Sequence, residues 1–334
     1  MSPIDGIARA AHRRGLPAWA LFLVVFVLIG LLIMVGKWTD GTVAFPLLHA
    51  AALNGFYLAV GLAAYGPLTR AAGRALDRIQ PVLDHDVDVA RARARLTSLP
   101  LWQFIVSFLL GAAVAGALML FVPVYTANIA SPQLPVLIIG VVGFAVSFGA
   151  VIVTGWQCLR IIATVVGLHR RVERVDLFRP APAHAFAPVT AGIGVYLMSG
   201  MAFTILSNPA ALTSPVTFAL IAVALATAIA AFVLPLVAMR SRLLDAKHEL
   251  ADENAEHMAT AAAALYKAVA ADDYDRTTGI QNALAALVAR RDLIGRASTL
   301  PWEPRVASGF ATTLLAPIAI WLVTTLVGRL LGLV

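Results

Sequence analysis

The sequence predicts an all-helical integral membrane protein of seven transmembrane helices, with the N-terminus inside, the C-terminus outside and a helical cytoplasmic base. Three observations carry this expectation. Hydrophobic residues make up 60% of the chain and charged residues 13%, with a mean hydropathy of +0.85, whereas soluble domains carry about 25% charged residues. Seven apolar runs reach the roughly 20 residues needed to cross about 30 Å of hydrocarbon at 1.5 Å per residue. All but Lys37 and Arg329, 23 of the 25 Lys and Arg residues, fall on one side of these runs, which is the cytoplasmic side because positively charged loops are retained there.

The first run, 18–36, has an apolar core longer than the roughly 7–15 residues of a cleaved signal peptide. No A-x-A-like site follows before Phe45, so a retained anchor is expected. The second run, 43–66, is followed by LTRAAGRALDRI (68–79) and DVDVARARARLTSL (86–99), which predict a short charged hairpin inside the cell. TSLPLWQF (97–104) then returns the chain to the membrane through a proline and Trp102, an amphipathic ring suited to the interface. The third run, 101–125, and the fourth, 134–159, are joined by a short outer connection, and RIIATVVGLHRRVERV (160–175) is expected to extend the fourth as helix.

DLFRPAPAHAF (176–186) leads into the fifth run, 187–206, by the same proline-and-aromatic device. With the second run it is the weakest, because each carries several small or polar residues. The sixth, 214–238, continues into RSRLLDAKHELADENAEHMATAAAALYKAV, where Leu244, Ala251, Met258 and Leu265 repeat every seven residues beside Leu243 and Leu250. A break at DDYDRTTG (272–279) precedes a second amphipathic helix with Ile280, Leu284, Leu287 and Ile294 on one stripe. Folded as a hairpin, the two stripes bury against each other or against a neighbouring subunit. Pro301 and Pro304 then stop the helix, Trp302 and Arg305 mark the inner headgroup level, and the last run is 306–328. The chain therefore divides into a six-span bundle (1–239, with inner segments 67–100 and 160–186), a cytoplasmic hairpin (240–304) and a seventh span (305–334).

Chemistry is sparse. LDHDVDVA (83–90) groups Asp84, His85, Asp86 and Asp88, but an EF-hand loop starting at Asp84 would need glycine and glutamate where Val89 and Arg95 stand; acidic residues ahead of a helix are expected from its dipole. HELADENAEH (248–257) has Asp252 where the zinc-protease signature needs its second histidine, and its rows of His, Asp and Glu read as a solvated helix face. Cys158 is the lone cysteine and reads as a packing residue. Neither G-x-S-x-G nor a phosphate-binding G-x-x-x-x-G-K-[ST] occurs, so no enzyme, cofactor or metal is expected. No internal repeat supports a transporter of symmetric halves.

No Asp, Glu, Lys or Arg lies in the central part of any span, which counts against proton-coupled transport. The intramembrane polar candidates are His49, Asn54, Gln103 and Tyr196. Gly111, Ala115, Gly116, Gly140, Gly143, Gly192 and Gly194 are expected to permit close helix packing. The last span carries Thr312, Thr313, Thr324 and Thr325, hydroxyls that either line a hydrated path or bond their own helix carbonyls. The net charge of +7 is read as orientation and contact with an anionic lipid bilayer rather than with nucleic acid.

DLFRPAPAHAFAPVTA and LPWEPRVASGFATTLLAPIAIWL resemble segments of uncharacterised polytopic membrane proteins from bacteria. In topology the chain is also similar to the insect odorant and gustatory receptor type of ion channel, although its last span lacks the tyrosine and glutamine of that signature. That likeness implies a homo-oligomer, a tetramer by preference, joined through 240–300, with Val306–Val327 lining a central pore. On this basis the chain is expected to be a multi-pass inner-membrane protein and a homo-oligomeric channel, ligand-gated or constitutive. Its subunit anchor would then comprise Leu244, Met258, Leu265, Ile280, Leu284, Leu287 and Ile294. The alternative is a sensor or scaffold that recruits a cytoplasmic partner through 240–304.

Overall fold

The computed structural model describes residues 2–39, 41, 49–122, 125–126, 129–172, 176–178, 182, 184–207, 215–271 and 273–300, and beyond them 306, 308–313, 315–316, 319, 322–323 and 326. The described residues form an all-helical protein with no named strand. Its elements are α1 (Pro3–Arg13), α2 (Ala18–Thr39), α3 (His49–Ile79), a 3₁₀ turn (Gln80–Val82), α4 (Val89–Thr97), α5 (Leu101–Phe121), α6 (Leu134–His169), α7 (Ala187–Ser207), α8 (Pro215–Ala270) and α9 (Tyr274–Arg296). Four stretches are long and apolar enough to cross a membrane: α2, Val89–Phe121 of α4 and α5, α6, and Ile221–Ala270 of α8; Ala187–Phe203 of α7 is apolar but shorter. The two weak runs of the sequence, the second and the fifth, are the cores of α3 and α7.

Several helices outrun the spans that seed them. α3 continues through Pro67 to Ile79, so 68–79 extends the helix of the second apolar run instead of starting a separate hairpin, and only α4 folds back. α6 is a single helix of 36 residues, about 54 Å at 1.5 Å per residue. It realises the expected extension as far as His169; 173–175 lie outside the described residues. α8 is a single helix of 56 residues. The break after it is narrower than 272–279, because Asp273 caps α9 by accepting the Arg276 N–H at 3.1 Å, which allows the helix to start at Tyr274.

α3 and α6 form the centre, α3 touching α1, α2, α4, α6 and α7. The largest buried cluster gathers Leu68, Leu76 and Ile79 of α3, Leu96 of α4, Ile161, Val165 and Leu168 of α6, and Val189 and Ile193 of α7. It lies at the end of the bundle that carries α1 and α4. There Leu83 and Val172 form an isolated antiparallel bridge, and the Asp84 N–H donates to the Arg171 carbonyl at 3.0 Å. The opposite surface character appears on α2 and α5, where Leu23, Val24, Leu28, Leu31, Leu109 and Leu110 are all exposed, as helices bathed in lipid require.

The helices meet through small residues and hydroxyls. A Cβ at Gly61 would stand 2.9 Å from the Ala150 carbonyl carbon, and one at Gly111 would stand 2.6 Å from the Phe148 carbonyl oxygen. The Thr154 hydroxyl donates to the Gly61 carbonyl at 2.8 Å and the Ser147 hydroxyl to the Asn54 carbonyl at 2.9 Å, stitching α6 to α3. Gly111 and Ala115 thus serve the close packing expected of them, whereas Gly116 faces open space. Phe310, in the described part of the last run, stacks on Phe232 of α8 at 4.0 Å and lies against Gly194 of α7.

Candidate functional site

Two features of the fold face outward chemistry: a cavity inside the bundle and the hairpin that continues from it. The cavity, of 230 Å³, is bounded by α3, α5, α6, α7 and α8, with Tyr57, Leu118, Phe148, Tyr196, Met201 and Ile221 among its walls. Its surface is almost wholly apolar, a chemistry suited to hydrophobic rather than charged molecules. Tyr196 spends its hydroxyl on the Val151 carbonyl at 2.7 Å, and Tyr57 packs on Phe148 at 5.1 Å.

The other intramembrane candidates do not join Tyr196 there. Asn54 is buried and its carbonyl accepts from Ser147, but its side-chain oxygen has no hydrogen-bond partner. Gln103 stands in the first turn of α5, its backbone carbonyl accepting from the Ser107 hydroxyl at 2.6 Å and its side-chain oxygen likewise unpartnered. His49 begins α3, and its side chain lies outside the described ones. On the last run Thr312 is exposed and Thr313 half-buried, with their hydroxyls donating to the Ser308 and Gly309 carbonyls at 3.0 and 2.9 Å. Both therefore bond their own helix; Thr324 and Thr325 lie outside the described residues.

α8 and α9 pack as an antiparallel hairpin. Lys247 donates to the Gly295 and Ala297 carbonyls at 2.7 and 3.0 Å, placing an ammonium on the C-terminal carbonyls of α9, where the helix dipole favours it. Asn254 is buried and donates to the Leu287 carbonyl at 3.2 Å, and Arg290 meets Glu253 at 3.2 Å. Leu244, Met258, Leu265, Ile280, Leu284 and Leu287 are half-buried and Ile294 is buried, while Ala251 is exposed. The packed seam takes in Lys247 and Asn254 beside the expected row, of which Leu244 and Ala251 line a pocket with Ile294 and Gly295 of α9. The tip beyond the seam is open, with Tyr266 79% and Tyr274 75% exposed. Lys247→Met keeps the aliphatic stem and removes the charge; it is expected to cost about 1 kcal/mol and to speed amide exchange at 294–297 relative to the first turn of α9.

A polar network absent from the sequence expectations ties α1 to the bundle. The Asp5 carboxylate accepts from the Ser2 N–H and hydroxyl at 3.2 and 2.8 Å, from the Leu99 N–H at 3.2 Å and from the Tyr65 hydroxyl. Beside it, Gln157 donates to the Arg95 and Leu96 carbonyls, both at 3.1 Å, and Arg160 to the Ser98 carbonyl at 2.9 Å. One sequence signal pointed here: Ser2 and Asp5 form a capping box for α1. His169, fully buried against the edge of Phe186, holds the Pro235 carbonyl of α8 with Nδ1 at 2.8 Å, and its Nε2 has no partner. Cys158 lies within the main apolar cluster.

Asp88 caps α4 by accepting the Arg91 N–H at 2.8 Å, and His248, Asp252 and Glu256 are exposed along α8. Among the described residues no group of three His, Cys, Asp or Glu side chains is placed to hold a metal ion. The chain matches no family model, and comparison with curated proteins and with solved structures finds no match either.

Proposed function

We propose that the protein is a seven-span membrane sensor or scaffold, N-terminus inside and C-terminus outside, that presents the α8–α9 hairpin to a cytoplasmic partner. The observation that carries this reading is the continuity of α8. Its 56 residues extend about 84 Å, of which about 30 Å can lie in hydrocarbon. One end of this helix contributes Ile221 and Ala224 to the apolar cavity, and the other ends near exposed Tyr266. A guest that shifts α8 at the cavity is then coupled to the hairpin tip along one helix, with Pro235 as the point between them where it can bend.

The buried Cys158 gives a quiet background for thiol labelling. In membrane vesicles, Tyr266→Cys is expected to react with an impermeant maleimide only when the cytoplasmic face is turned out; reaction from the opposite face overturns the orientation. Full-length protein in nanodiscs is expected to retain a cytoplasmic protein that a Tyr266→Ala/Tyr274→Ala variant loses. Equal retention by both overturns the recruiting role of the tip.

The pore reading keeps one supporting observation, the exposure of Thr312, on a surface that a homo-oligomer could turn toward its axis. It requires Thr312→Cys to react with aqueous reagents and reconstituted protein to pass ions. A monomer by light scattering in detergent and in nanodiscs eliminates a central pore and leaves the sensor or scaffold.

A further inference from the structure

A second pocket, of 320 Å³, opens where α1, α3 and the C-terminal end of α4 meet; Asp5, Arg9, His12, Arg70, Thr97 and Ser98 are among its lining residues. Its charge is lopsided. Arg9, Arg70 and His12 face it, Arg9 also giving its Nε–H to the Asp5 carbonyl at 3.2 Å, and the single acid among the lining residues, Asp5, has its carboxylate bonded by donors from Ser2, Leu99 and Tyr65. Asp77, the next acid along α3, is paired with Arg93. Thr97 and Ser98 give their hydroxyl protons to the Arg93 and Ala94 carbonyls, both at 2.8 Å, so recognition falls to the guanidinium groups and the imidazole, which suit a phosphate by charge and by fork geometry.

The pocket also sits at a defined depth. It is built from residues just outside the apolar stretches: α1 precedes α2, Arg70 follows the apolar half of α3, and Thr97 and Ser98 precede α5. Trp19 at the start of α2 and Trp102 at the start of α5 are 67% and 63% exposed, with Leu16 and Leu101 exposed beside them. Exposed tryptophan marks the headgroup level, and exposed leucine offers a surface for acyl chains. We propose that this pocket binds a phosphate-bearing anion, with the headgroup of an anionic phospholipid held between Arg9 and Arg70 as its source.

The test is equilibrium binding by calorimetry on the full chain in neutral detergent, with dihexanoyl phosphatidylglycerol, dihexanoyl phosphatidylcholine and inorganic phosphate as probes. Phosphatidylglycerol is expected to bind at least about tenfold more tightly than phosphatidylcholine and to weaken with salt. Arg9→Gln/Arg70→Gln is expected to weaken it by about 30-fold. Arg13→Gln/Arg14→Gln, which removes the same charge from the neighbourhood without touching the pocket lining, is expected to stay within about threefold. Competition by inorganic phosphate identifies free phosphate as the ligand source, and its failure to compete identifies the lipid. Equal binding of the two lipids, or equal losses in the two double variants, overturns the site.

Discussion

Gly61→Leu is expected to prevent the bundle from assembling. The new side chain would meet the Ala150 backbone, where its first carbon already stands at 2.9 Å, and a helix backbone cannot rotate out of the way as a side chain can. Overpacking of cores usually costs about 1–3 kcal/mol, and backbone against backbone belongs at or beyond the upper end. The Thr154 bond to the Gly61 carbonyl would be lost with the same displacement. The expected readout is a lowered thermal midpoint in detergent and loss of a monodisperse peak. Gly116→Leu, into open space, should leave both unchanged; equal behaviour of the two variants would refute close α3–α6 contact as the organising feature.

The second large effect concerns Asp5. Asp5→Ala strands the Tyr65 hydroxyl and the Leu99 N–H in a buried setting and removes the anion near Arg160. Breaking a buried charged network by deleting one partner costs about 3–5 kcal/mol. Because the bonds link α1 to the rest of the molecule, the loss should appear there first. Amide exchange across 3–13 is expected to rise by about 100-fold or more, with the α8–α9 hairpin unaffected. Tyr65→Phe removes a single donor and is expected to cost about 1–2 kcal/mol. If Asp5→Ala left exchange in α1 at its original rate, the network would be incidental to docking.

These two sites differ in how far the sequence announced them. The apolar runs announced the helices, and the seven-residue spacing after 238 announced that α8 continues out of its apolar half. Gly111 was legible in the small-residue run GAAVAG, whereas Gly61 was passed over, although each meets the backbone of α6. The hairpin seam also holds Lys247 and Asn254, which the apolar spacing does not reveal. A polar seam residue whose donor is satisfied by a carbonyl across the interface carries the hydropathy of a surface residue. The Asp5 network was hidden for another reason, since its members at 5, 65, 99, 157 and 160 are brought together only by the fold. The threonines of the last run were assigned two roles, and at Thr312 and Thr313 the helix-internal one is realised.

The hydrogen bonds that join distant loops also carry a parity rule. A bond between two residues at one face of a bilayer requires an even number of crossings in the chain between them. Asp5 and Leu99 are so joined; once α2 crosses, something before Leu99 must cross back, and α3 is the helix between them with the length to do it. Arg242 donates to the Arg170 carbonyl at 2.7 Å, so α7, short as its apolar part is, must be undone by the apolar half of α8 or must not cross at all. At the other face Gln133 reaches the Thr39 carbonyl at 3.2 Å, demanding that α3 and α5 cancel. Length and composition qualify four stretches as candidate spans; if α2 is one, parity requires α3 to cross with it, and α7 and α8 cross together or not at all, a constraint that owes nothing to hydropathy.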